Sequence, residues 1–303
     1  MGTAIIGVGI ALANVLLPGL LKRHFPNHIT TVTSAYVLMM GVGATVCAGS
    51  TVPMAYFADS SDFGMAGWAF SLICLSAIPI IALIIWIPQI KSANQYLESK
   101  SNHTHKYLWR SKEAWSITMF MGLNALLMYT FIAWLPTILS ENGYTEQDAG
   151  IIYGSFQFFS ILPAFVLPPL MKLFSNKRIV SIKFVCVVLV GILGLIISPD
   201  YSILWSSAIG FGAGGGFIIA MSLLSIRTNH SSQAAALSGM TQCIGYSIAA
   251  IGPIFTGALH TATGSWQVPL LCCFTIALIW CYFAYTAVDN TIINNEELLL
   301  EES

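Results

Sequence analysis

Charge is what this chain has least of. Only 8% of its 303 residues are Asp, Glu, Lys or Arg, while 56% are hydrophobic. A soluble domain usually carries about 25% charged residues, and a chain this apolar cannot cover a water-facing surface with polar groups. The net charge of −1 provides no field for nucleic acid, so no nucleic-acid partner is expected. The seven cysteines (Cys47, Cys74, Cys186, Cys243, Cys272, Cys273 and Cys281) contain no C-x-x-C pair and all fall in apolar stretches. They read as buried small hydrophobes. No G-x-x-x-x-G-K-[ST] loop occurs, which removes a nucleotide-driven pump. The six histidines lie in connections and none forms H-E-x-x-H, so neither a metal nor another cofactor is expected. There is no G-x-S-x-G serine and no carboxylate pair within an apolar stretch. No enzyme is expected.

What the chain has instead is long apolar runs. About 20 apolar residues in a helix span a bilayer. Nine runs qualify: 3–21, 31–57, 67–89, 114–139, 149–171, 179–198, 202–224, 235–259 and 266–288. Water is absent from the bilayer core, so each must satisfy its own backbone hydrogen bonds as a helix. The expected class is an all-α membrane protein with nine transmembrane helices. The match Gly210-x-Gly212-x-x-Gly215 lies in the middle of a run without a preceding strand. It predicts close helix packing rather than a dinucleotide site.

Apart from Lys183, near the start of the sixth run, the Lys and Arg residues lie outside the runs, and alternate connections have none. Lys22 and Arg23 follow the first run, Lys100 and Arg110 the third, Lys172 and Lys177 the fifth, and Arg227 the seventh. The intervening connections hold Asp59, Asp62, Glu141, Glu146, Asp148 and Asp200. By the positive-inside rule, 22–30, 90–113, 172–178 and 225–234 are cytoplasmic, as is the C-terminus. The expected location is the cell membrane, multi-pass. Trp68, Trp86, Trp205 and Trp266 lie near run ends, as interface anchors do. Nine spans leave the N-terminus outside without a signal sequence, which predicts further spans upstream.

The expected organisation is a partial helical bundle of three spans over 1–89, a cytoplasmic loop over 90–113, a six-helix bundle over 114–288 and an acidic cytoplasmic tail over 289–303. A weak internal repeat accompanies it: Asn27-His28 and Asn229-His230 each precede a run rich in small residues.

Uncharged polar residues inside the runs are the remaining functional signal. Gln157 shares a helical face with Tyr153 and Ser160, and Gln242 with Ser238 and Tyr246. Asn124 and Tyr129 fall about 140° apart on their helix, so one face cannot hold both. Asn14 and Tyr36 are the candidates nearer the N-terminus. These seven (Asn14, Tyr36, Asn124, Tyr129, Gln157, Gln242 and Tyr246) are the candidate cavity-lining residues, with Gln157 and Gln242 the favoured pair. The competing reading is interhelical hydrogen bonding, about 0.6 kcal/mol per contact.

Three stretches carry a family resemblance. Asn14-Val15-Leu16-Leu17-Pro18 continues to Lys22-Arg23-His24-Phe25-Pro26. Phe120-Met121-Gly122-Leu123-Asn124 is followed by Ala133-Trp134-Leu135-Pro136. Ala234-Ala235-Ala236-Leu237-Ser238-Gly239-Met240-Thr241-Gln242 leads to Gly252-Pro253 and Gly264-Ser265-Trp266. Together they resemble the CynX/NimT branch of the major facilitator superfamily, which includes cyanate and 2-nitroimidazole transporters. The resemblance implies a major-facilitator-type helical bundle of twelve spans, of which these nine look like the fourth to the twelfth. It implies a secondary transporter of a small polar or anionic solute, taken up or exported by alternating access, with the lipid bilayer and a proton or other coupling ion as partners. The alternative is a non-transporting membrane component or an inactive truncated remnant.

Overall fold

The computed structural model describes residues 1–60, 65–93, 105–174, 176–288 and 292–293. They form eleven α-helices, and no strand occurs among them. In chain order these are α1 (Gly2–His24), α2 (Ile29–Ser60), α3 (Gly67–Leu75), α4 (Ala77–Ala93), α5 (Lys112–Glu141), α6 (Glu146–Ile161), α7 (Pro163–Leu173), α8 (Lys177–Ile197), α9 (Ser202–Ile226), α10 (Ser231–Thr263) and α11 (Gln267–Ala287). Pairs α3–α4 and α6–α7 each make one span, which gives nine candidate membrane spans among the described residues. All nine expected runs are accounted for.

Local chemistry sets the helix ends. The side chains of Ser111, Thr145 and Asn176 accept the backbone N–H of Ala114, Asp148 and Arg178, which starts α5, α6 and α8. Pro163 cannot donate a helical N–H, so the sixth helix breaks at Leu162 and resumes as α7. α10 stops at Gly264, whose φ of 65° is left-handed and whose N–H returns to the His260 carbonyl. Both Asn-His pairs end where a helix begins, at Ile29 and at Ser231.

The chain divides into two compact units, Leu38–Thr104 and the remainder. In the smaller unit, α3 returns along α2. Asp59 Oδ1 accepts the Gly67 N–H at 2.9 Å, and Ser71 Oγ donates to the Thr51 carbonyl at 2.9 Å. A carboxylate at the start of α3 complements that helix's dipole.

In the larger unit, α9 is the central helix, with most of its span enclosed by neighbours. Its glycines permit this on several faces. A Cβ at Gly210 or Gly214 would strike the carbonyls of Phe156 and Ser160 on α6. One at Gly212 would strike Val188 on α8, and one at Gly216 would strike Trp280 on α11. The glycine run is therefore a packing device, as expected from the sequence.

Several residues depart from their expected settings. Of the cysteines, only Cys273 is buried, and Cys186 and Cys243 are exposed. In lipid an outward thiol is as well placed as an inward one, so burial is not enforced. Trp68 and Trp86 are exposed, as anchors should be. Trp266 is instead buried, stacked on His260 at 4.1 Å and 5.4 Å from Trp134. His260 belongs to α10's last turn rather than to a connection, and its Nε2 lies 3.0 Å from Glu141 Oε2. Lys183 is within α8 and reaches back over the Phe174 ring, as a snorkelling lysine does.

Arg227, expected in a water-facing connection, is 1% exposed. The last carbonyls of a helix have no intrahelical donor, and Arg227 supplies one: Nη1 donates to the Ala287 carbonyl at 2.6 Å. Arg178 Nε does the same for Val288 at 3.0 Å. The Arg227 carbonyl accepts the Ile293 N–H at 2.9 Å, and Gln233 Nε2 donates to the Ile293 carbonyl at 2.7 Å. The segment after α11 is thus tied to the starts of α8 and α10. Gln233 also hydrogen-bonds Tyr107, on the turn before α5. Burial pushes the Tyr107 phenol above its ordinary pKa, and the Gln233 bond acts in the opposite direction.

Candidate functional site

The site begins with how closely α1 can approach α10. A Cβ at Gly19 would lie 3.2 Å from Ala235 Cβ, and one at Gly239 would lie 3.6 Å from Val15. Rising numbers on α10 meet falling numbers on α1, so the two helices run in opposite directions. Small residues at each contact let the backbones come together, as is usual between membrane helices. Ser225 Oγ adds a bond to the Pro18 carbonyl at 2.8 Å.

One turn further along, the polar residues meet. Gln242 is 3% exposed, and its Nε2 donates to the Asn14 carbonyl at 3.0 Å and to Ser238 Oγ at 2.8 Å. The Tyr36 hydroxyl donates to Asn14 Oδ1. Tyr246, one turn beyond Gln242, meets Tyr129 edge-on with ring centroids 6.4 Å apart. Tyr246 and Gln242, four residues apart on α10, share one helical face, which sets the ring pair beside the amide. Five of the seven candidate residues (Asn14, Tyr36, Tyr129, Gln242 and Tyr246) therefore form one cluster, drawn from α1, α2, α5 and α10. No ionised side chain takes part in these contacts. The cluster offers amide donors and acceptors, hydroxyls and ring faces.

The other face of α10 is fixed by α5. Gly122 and Gly245 are in mutual contact, Thr118 Oγ1 and Thr241 Oγ1 are 3.2 Å apart, and Trp134 Nε1 donates to the Pro253 carbonyl at 2.8 Å. Sequence reading did not single out Thr118, Thr241 or Trp134 for this role. The available signal was that each threonine precedes a glycine by four residues, which repeats the small-residue spacing of a packed helix face.

The remaining two candidates lie elsewhere. Asn124 is fully buried between α5, α9 and α11: a Cβ at Gly216 would lie 3.1 Å from its Oδ1 and 2.5 Å from Trp280 Cζ2. Neither amide atom of Asn124 nor the indole N–H of Trp280 has a hydrogen-bond partner. Asn124 and Tyr129 point to different neighbours, in keeping with their angular separation. Gln157 donates to the Tyr153 hydroxyl at 3.4 Å within α6. It shares no hydrogen bond with Gln242 among the described residues.

No group of three or more His, Cys, Asp or Glu side chains among the described residues could hold a metal ion.

Comparison with known proteins agrees with this architecture. Residues 1–250 match the Major Facilitator Superfamily family model. The chain is 38% identical over 287 residues to the 2-nitroimidazole transporter of Escherichia coli K12, covering 94% of this chain and 71% of that protein. It is 25% identical to the cyanate transport protein CynX of the same organism, over 92% of this chain and 71% of that one. Among solved structures, the Escherichia coli fucose:proton symporter FucP shares its fold, with a TM-score of 0.56 at 14% identity over 87% of this chain and 73% of FucP. With its spanning helices and these relatives, the chain is a multi-pass membrane protein that belongs to the major facilitator superfamily, in the branch of the cyanate and 2-nitroimidazole transporters.

Proposed function

We propose that this chain is a secondary transporter that moves a small, planar, polar solute of the nitroimidazole kind by alternating access, with the α1–α2–α5–α10 cluster as its recognition element. The observation that carries the proposal is the position of Gln242: a buried amide joining α1 to α10, beside two facing tyrosine rings. An amide oxygen suits an imidazole N–H, tyrosine hydroxyls suit nitro and ring-nitrogen acceptors, and tyrosine faces suit a flat heteroaromatic ring. The similarity to a 2-nitroimidazole transporter along most of the chain supports this substrate class and disfavours a non-transporting component. Segments 1–89 and 114–288 would act as the two bundles that rock about the solute, joined by 90–113. The protein would reside in the cell membrane, and the distribution of basic residues supports a cytoplasmic C-terminus. A solute without charge fits the cluster better than cyanate, because no Lys or Arg among the described residues takes part in it to offset an anion.

The test is flux into vesicles reconstituted with the full chain. Labelled 2-nitroimidazole should enter faster than into empty vesicles. Gln242→Ala should lower the apparent affinity about 5-fold, from one hydrogen bond between the Gln242 amide oxygen and the solute worth ~1 kcal/mol. Flux equal to that of empty vesicles, or unchanged by the substitution, would sink the proposal. A pH gradient that leaves the rate unaltered would remove proton coupling.

A further inference from the structure

One end of the larger unit holds a cavity of about 310 Å³, formed where the α1–α2 connection meets the end of α7 and the start of α8. Three lysines from three helices line it, Lys22, Lys172 and Lys177, with His28 beside them and no Asp or Glu. Lys22 and Lys177 are half-buried. No carboxylate among the described residues pairs with any of the three. Three ammonium groups around one small volume repel one another, and an anion between them would turn that repulsion into attraction.

The opening turn of α2 adds a second contribution. Ile29, Thr30 and Thr31 line the same cavity, and first-turn N–H groups have no acceptor within their own helix. α2 is 32 residues long and has no acidic residue in its first turn. By contrast, α5 and α6 each carry acidic side chains there. The positive end of a long helix with no acidic residue in its first turn therefore faces the space the lysines surround. The Thr30 and Thr31 side chains carry hydroxyl donors at the same wall.

We propose that this cavity binds a phosphate-class oxyanion, held by Lys22, Lys172, Lys177 and the first turn of α2. Its volume sits at the small end of ligand pockets, about 300–1,000 Å³, and suits a phosphate group. The same chemistry is presented by the headgroup of an anionic phospholipid and by a free phosphate. The site is separate from the uncharged cluster around Gln242, and its test involves no transport. Its failure would therefore leave the substrate proposal untouched, and the reverse also holds.

The experiment measures the unfolding midpoint of the purified full chain in two arms. In a zwitterionic detergent, inorganic phosphate is titrated against sodium chloride at equal ionic strength. In nanodiscs, phosphatidylcholine alone is compared with phosphatidylcholine containing phosphatidylglycerol. A saturable rise is expected in at least one arm. Half-saturation should weaken about tenfold in the combined Lys22→Gln, Lys172→Gln, Lys177→Gln variant and stay unchanged in Lys112→Gln. Lys172→Gln alone removes an exposed side chain, keeps the fold, and should weaken it about threefold. A rise with inorganic phosphate assigns a free oxyanion. A rise confined to phosphatidylglycerol assigns a headgroup. The proposal is overturned if neither arm shows a rise, if sodium chloride reproduces it, or if both lysine variants retain it in full.

Discussion

Asn124 is the residue whose surroundings ask most for an explanation. A buried amide without partners costs about 1–3 kcal/mol, and both its polar atoms are in that state beside an equally unpartnered Trp280. Asn124→Leu, similar in size and free of that cost, should raise the unfolding midpoint by the equivalent of about 1 kcal/mol. If Asn124 serves solute passage, the same variant loses flux while gaining stability; flux unchanged at higher stability would assign it to packing alone. Gln242 differs in that both its donor bonds are made, one of them across helices. The two residues look alike in the sequence, each a lone amide in an apolar run. The helical faces of Gln242, Ser238 and Tyr246 were legible from spacing, and so was the separation of Asn124 from Tyr129. Which helix would face Gln242 was not, because the Asn14 carbonyl that accepts from it is backbone and leaves no trace in side-chain pattern.

At the scale of elements, glycines in α9 and α10 look alike in sequence but differ in what they touch. A Cβ on Gly214 would collide with the Ser160 backbone, whereas one on Gly239 meets only Val15 at ordinary contact distance. Gly214→Ala should therefore cost more than about 3 kcal/mol, seen as a large drop in unfolding midpoint or in folded yield, while Gly239→Ala should stay within about 1 kcal/mol of the parent. The segment beyond α11 supplies another contrast. Arg227→Met removes the donor to the Ala287 carbonyl and should lower stability by about 2–4 kcal/mol. Thermal unfolding in detergent checks it, with the exposed Lys112→Met as a control expected to show little change. Span number and approximate ends were readable because twenty apolar residues leave little choice in a bilayer. The burial of Arg227 and the breaks at Leu162 and Ser76 were not: hydropathy is blind to a carbonyl in need of a donor and to a helix interrupted within an apolar run.

For the whole molecule, the proposed orientation makes a direct prediction. In a cysteine-free background, Asn142→Cys should react with a membrane-impermeant maleimide on intact cells. Asn176→Cys should react only after permeabilisation. Both positions are exposed, so the reverse result would invert the topology rather than reflect access. The distribution of charge has an electrical consequence as well. Among the described residues, Asp, Glu, Lys and Arg are confined to the end turns of the spans, apart from Lys183, which leans back toward Phe174. A membrane potential exerts about 2.3 kcal/mol per elementary charge per 100 mV, but only on charge that crosses its field. The described spans carry almost none to move. Any current accompanying turnover through them would then be the signature of the cargo and its companion ion, and a voltmeter across a reconstituted bilayer would count the charge of a solute before its chemical identity is known.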